Sequence, residues 1–183
     1  SMPSSRRFLG ACRGPMHVAF NGYFLQRPMT GTGQYTARLL REMIAVRSDA
    51  RFSVLGGHDA RLPWRLPGVR VVRGGPPADG RLHNLRKVAW EMAGFPARAA
   101  VAGPDLLHVP YWAPPLVSVR PVVATIHDVI PALMPEYRGG RPGAAYTRLV
   151  AISARPAKAI LVDSESSRRD VDRLLRVPVE RIH

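Results

Sequence analysis

Four stretches of this chain combine residue types and spacings that could do chemistry. The first is Thr30-Gly31-Thr32-Gly33-Gln34-Tyr35, at the start of a helical pattern. Glycines let a backbone come close to a ligand, and a helix N-terminus offers free N–H groups with a partial positive charge, so a phosphate fits there. The same residues also read as a plain glycine-rich helix start. A dinucleotide fingerprint would need a third glycine where Thr36 stands, and a tight turn directly after a strand, which disfavours a nicotinamide cofactor. The second stretch is His127-Asp128, at the end of the most apolar run. A histidine there can hydrogen-bond a hydroxyl or move a proton, with the aspartate orienting it. The alternative is an Asx turn before Pro131 beside a passive histidine. The other histidines (His17, His58, His83, His108 and His183) show no metal-ligand spacing. The third stretch, Asp163-Ser164-Glu165-Ser166-Ser167, has no glycine flanking a serine, so it is no nucleophile elbow, and helix capping accounts for it. In the fourth, Arg81, Arg86 and Lys87 share a helical pattern with Leu82, Leu85, Trp90 and Phe95. That reads either as a basic, apolar face lying on an anionic membrane or as an ordinary surface helix packed on a sheet.

The elements that must position these residues follow from periodicity. His17–Phe20, Arg51–Leu55, Val69–Val72, Leu106–Val109, Val122–Ile126 and Ala159–Val162 are short, β-branched or apolar runs closed by Gly, Pro, Asn or Asp, and read as strands. Helices are expected over about 33–46 (Tyr35, Leu39, Leu40, Met43, Ile44), along a stripe of Leu82, Leu85, Ala89 and Met92, over about 141–154, and after Asp163 or Ser164 with Val171, Leu174 and Leu175 as the apolar face. Strands alternate with helices, and the later strands are uniformly apolar. That pattern predicts an α/β fold, a doubly wound, mostly parallel, Rossmann-like sheet covered on both faces. Ligands of such sheets bind beyond the carboxyl ends of the strands. This singles out residues 21–33, 110–114, 127–131 and 163–167.

Composition sets the outer bounds. The chain has 183 residues, 46% hydrophobic and 22% charged, which suits one soluble domain with its own core. No apolar run approaches the ~20 residues of a membrane span, and the basic N-terminal stretch lacks the long apolar segment of a secretory signal. A flexible tail is expected over residues 1–15, with Ser1 before Met2 resembling a cloning scar. The single cysteine, Cys12, excludes an internal disulfide framework. The net charge is +14, with 25 arginines against Lys87 and Lys158. Arginine of this abundance, with 18 prolines and 16 glycines, is what a GC-rich genome produces, yet the charge still attracts polyanions. The arginines are scattered, with no like-charge run, which speaks against nucleic acid. A basic module binding anionic lipid or nucleic acid remains the alternative function on charge alone, and a small oxidoreductase is a weaker one.

Taken in order, the segments MHVAFNGYF, TGTGQYTARLL, PDLLHVPYWAPPL, PVVATIHDVIP and AKAILVDSESSRRDV resemble the N-terminal half of group 1 retaining glycosyltransferases, the family-four GT-B enzymes, in their mannosyltransferase-like branch. The resemblance runs from about Met16 to His183. It implies a two-domain enzyme in which an N-terminal domain, here residues 16–183, mainly binds acceptor and a C-terminal domain, absent here, mainly binds the nucleotide-sugar. It implies that Gly31, Thr32 and Gly33 meet the donor diphosphate, that His127 contacts the transferring sugar with Asp128 nearby, and that Tyr111 and Trp112 help shape the acceptor site. By the same resemblance the acceptor is a glycan or a lipid-linked molecule, no cofactor or metal is required, and the protein is cytoplasmic. Arg81, Arg86, Lys87 and Trp90 would then touch the inner membrane face. The chain is expected to end in the first strand of the second domain or the link to it, and to be inactive alone.

Overall fold

The computed structural model describes residues 14–183; most of the expected tail over 1–15, with Cys12, lies outside the described residues. Six strands form one sheet: β1 (His17–Asn21), β2 (Arg51–Gly57), β3 (Val69–Gly75), β4 (Leu106–Val109), β5 (Val122–Thr125) and β6 (Ala159–Leu161). Their spatial order is β3-β2-β1-β4-β5-β6, and every pairing is parallel. This is the Rossmann-like α/β sheet the apolar runs predict. The order reverses between β1 and β4, so the crevice expected for a ligand opens at the carboxyl ends of those two strands.

Side chains alternate across the sheet and build a core on each face. Val18, Phe20, Phe52 and Val54 pack with Ala37 and Leu40 of α1 (Gly31–Val46). On the other face Ala19, Leu55, Leu107, Val109 and Ala124 pack with Trp90, Phe95, Ala99 and Ala154. The remaining helices are α2 (His83–Ala89), α3 (Phe95–Ala102), α4 (Ile130–Leu133), α5 (Gly140–Ala154) and α6 (Glu165–Asp170). α6 continues through a π-turn, Val171–Leu175, whose Val171 and Leu175 are buried and whose Leu174 packs against the core, as the apolar spacing requires.

One expectation is corrected. The helix after Arg81 does not bury the stripe Leu82, Leu85, Ala89, Met92: Leu82 is 56% and Leu85 66% exposed. The buried positions are Trp90, Glu91, Phe95 and Ala99. A π-turn, Trp90–Gly94, joins α2 to α3, and the Phe95 N–H donates five residues back to Trp90 O. Pro96 has no N–H to give the preceding turn, and the widened turn carries the helix past it. The chain end adds one more pairing to the sheet. Ile182 is buried and bridges Ile160 in parallel; the His183 N–H donates to Ile160 O at 2.9 Å and the Val162 N–H to His183 O at 2.9 Å. These residues extend this sheet at the β6 edge.

Candidate functional site

At the crevice, α1 begins with Thr30 as its N-cap. The Gly33 N–H donates to Thr30 Oγ1 at 3.2 Å, and Thr30 Oγ1 donates to Arg27 O at 2.8 Å. The N–H groups of Gly31 and Thr32 have no helical carbonyl to reach and remain for water or an anion. The two glycines have different reasons to be there. A β-carbon on Gly31 would meet nothing within 4 Å, which leaves its backbone open to a ligand. One on Gly33 would stand 2.6 Å from Arg27 O and 3.0 Å from Phe24 O, so Gly33 lets α1 pack on the turn before it. Of the three residues expected at a phosphate, Gly33 is committed to packing and to the cap.

His127 follows β5, as its place after an apolar run requires. Its ring partner is not its neighbour. Asp128 Oδ1 accepts from the Ile130 N–H at 3.0 Å and forms the Asx turn before Pro131. The His127 Nδ1 instead lies 2.6 Å from Asp163 Oδ2, in the turn after β6. Ser167, one turn into α6, donates its hydroxyl to His127 O at 3.1 Å. Tyr35 of α1 meets the imidazole edge-on with centroids 4.5 Å apart. Nε2 is buried and has no partner among the described residues. The expected histidine is therefore at the strand end, but the carboxylate beside it is Asp163 and not Asp128. The spacing of Asp163–Ser167 after the last apolar run puts it at this edge of the sheet and points to capping, a role Ser164 fills by accepting from the Ser167 N–H at 3.1 Å. No spacing rule links positions 36 residues apart on adjacent strands.

Behind His127 a polar chain enters the sheet. The Tyr35 hydroxyl lies 3.1 Å from Thr125 Oγ1, which lies 3.3 Å from His108 Nε2. His108 is buried and stacked on Phe20, and burial lowers its pKa to about 4, so it is neutral at physiological pH. Burial likewise raises the Tyr35 pKa and keeps that hydroxyl protonated.

The aromatic and basic expectations divide. Tyr111 is only 4% exposed, packed edge-on against Phe24, so it supports the β4 loop from beneath and offers no side-chain face to an acceptor. Trp112 is half-buried against the same core. Trp90 is buried and donates its indole N–H to Asn21 Oδ1 at 3.0 Å, and Phe95 is fully buried. Neither can sit in a membrane interface. Lys87 is also withdrawn: its ammonium lies 2.6 Å from Glu91 and donates to the Tyr146 hydroxyl at 2.6 Å, and the Tyr146 hydroxyl donates to Glu91 Oε2 at 3.0 Å. Glu91 is completely buried, which pushes its carboxyl pKa up against the pull of Lys87. Arg81 and Arg86 stay exposed beside Leu82 and Leu85. A groove of about 680 Å³ lies between α2 and α5, lined by Arg81, Leu82, Leu85, Val88, Tyr146 and Leu149.

An all-parallel doubly wound sheet, with a glycine-started helix and a braced histidine at its carboxyl edge, defines a Rossmann-like α/β domain. The sequence model of Glycosyltransferase Family 4 matches residues 29–183, and the chain belongs to that family. No curated protein matches the sequence. Among solved structures, the apo form of the lipopolysaccharide outer core galactosyltransferase WaaB is similar, with a TM-score of 0.58 at 10% identity over 92% of this chain. That likeness is one of fold, the half of a GT-B enzyme, and this chain spans 44% of the length of the WaaB chain.

Proposed function

We propose that this chain is the N-terminal, mainly acceptor-binding half of a retaining hexosyltransferase of the mannosyltransferase-like branch, with the donor half supplied by a further domain. The donor is a nucleotide-sugar. The observation that carries this reading is the meeting of Tyr35, one turn along α1 from Gly31, with His127 at the β5 end: one crevice then holds both an anion-binding helix start and a polar side chain for a sugar. Departure of the nucleoside diphosphate builds negative charge, which the Gly31 and Thr32 N–H groups stabilise without a metal. His127 Nε2, left without a protein partner, is the ring atom that meets the transferring sugar. The test is a transfer assay on the product of the complete reading frame with a panel of sugar nucleotides, beside calorimetry on this chain alone. Transfer by the complete protein, with no micromolar sugar-nucleotide binding by the chain alone, is expected. Micromolar binding by the chain alone, or no transfer from any donor, contradicts the reading.

A second element of the reading concerns the acceptor. Exposed Leu82 and Leu85 beside Arg81 and Arg86, at the mouth of the α2–α5 groove, favour contact with an anionic membrane surface carrying a lipid-linked acceptor. This replaces the stripe that included Lys87 and Trp90.

A further inference from the structure

We infer that Asp163 is the positioning residue of His127, fixing its ring so that the proton stays on Nδ1 and Nε2 presents a lone pair to a ligand hydroxyl. The inference rests on the reading of His127 as the sugar-facing residue, and it adds the residue that sets its chemistry. A carboxylate only accepts hydrogen bonds, so a ring nitrogen 2.6 Å from Asp163 Oδ2 must carry the hydrogen. In the neutral imidazole the other nitrogen is then an acceptor, because the tautomer is set by the bond its partner atom makes. Nε2 is buried without a protein partner, an arrangement that calls for a group arriving from outside.

The rest of the turn holds the histidine in place. Ser167 bonds the His127 carbonyl, Ser164 caps α6 and thereby fixes Ser167, and Tyr35 packs edge-on against the ring. The segment Asp163–Ser167 thus braces both the main chain and the ring of one residue on the neighbouring strand. Stability does not explain this. The Asp163 side chain is 54% exposed, and a polar contact so wet contributes little to folding. Asp128, the sequence neighbour, cannot substitute, because its carboxylate is spent on the Ile130 N–H.

A sugar hydroxyl donating to Nε2 would be oriented by this bond, while the ring itself keeps its proton. His127 then acts as an acceptor fixed in space, and loss of Asp163 frees the ring to turn and to take the other tautomer.

The experiment is nitrogen-15 NMR of the histidine rings, with His127 assigned by substitution, in the wild type, Asp163→Ala and Asp163→Glu, together with turnover of the complete transferase. The wild-type ring is expected as the Nδ1–H tautomer, that signature should be lost in Asp163→Ala, and Asp163→Glu should recover part of it. Turnover should fall by on the order of 10-fold or more in Asp163→Ala with donor KM little changed. His127→Ala and the double variant should be equally slow. An Nε2–H ring in the wild type, or a tautomer unchanged in Asp163→Ala, overturns the inference. Full turnover in Asp163→Ala beside a slow His127→Ala also overturns it while leaving the sugar-facing reading intact. A fast His127→Ala instead defeats the reading of His127, and the ring spectra then decide on Asp163 alone.

Discussion

His108 shows what a single buried side chain does to this protein. Its pKa, lowered to about 4 by burial, lies below the 6.5 of an unfolded histidine, so the folded state resists the proton that the unfolded state takes up. The resulting stability is present in full above pH 6.5 and is lost as pH falls toward 4, an amount of about 3 kcal/mol. Burial lowers the His17 pKa in the same direction. Denaturant melts of the wild type and His108→Gln between pH 7 and 4 should show a clearly shallower acid limb in the variant, and an unchanged limb would refute the assignment. The glycines of the α1 start separate at the same scale. Gly33→Ala puts a β-carbon 2.6 Å from a backbone oxygen and should cost roughly 1–3 kcal/mol. Gly31→Ala meets only open space and should leave stability unchanged or raise it by less than about 1 kcal/mol. Equal losses at the two positions would show that packing does not distinguish them.

At the level of elements, the α2–α3 helix is tied to α5 by the Lys87–Glu91–Tyr146 network. Removing the cation leaves a carboxylate at 0% exposure unpaired, so Lys87→Met should cost about 3–5 kcal/mol near neutral pH. Burial raises the Glu91 pKa in the folded state, so protonation relieves that penalty as pH falls through it. Thermal melts should show the gap between wild type and variant narrowing from pH 7 toward acid; a constant gap contradicts the role given to Glu91. Membrane contact has to be tested elsewhere on the same helix. Arg81 and Arg86 contribute roughly 1 kcal/mol each at an anionic surface, so cosedimentation with phosphatidylglycerol vesicles should be weak, salt-sensitive and lost in Arg81→Glu/Arg86→Glu. Equal binding to neutral vesicles, or none to either, leaves α2 as ordinary surface.

These elements also mark where sequence is readable. The apolar runs locate all six strands because a parallel sheet covered on both faces demands them, and Leu106–Val109 begins and ends where the pattern does. The helical stripe of Leu82 and Leu85 misleads because α2 buries no side chain of its own and the helix reaches the core only from Trp90 onward, which a periodicity of 3.6 does not reveal. Trp90 next to a basic cluster looks like an interface residue until the sheet supplies Asn21 for its indole. Asp163 is invisible as a partner of His127, since only the β5–β6 pairing brings the two strand ends together.

For the whole molecule, a six-stranded sheet with a core on each face should fold without help, and the isolated chain is expected to melt cooperatively. A dye-binding chain with no transition would contradict that. The most direct test of the central claim, that the carboxyl edge of this sheet presents His127 to the sugar of a nucleotide-sugar donor, is the transfer rate of the complete enzyme carrying His127→Ala, measured beside its melting temperature. The side chain is partly exposed at the crevice and contributes little to the core, so turnover should drop on the order of 10²-fold or more while the melting temperature barely moves. Near-normal transfer, or a large fall in melting temperature, would show His127 to be a passive residue of its turn.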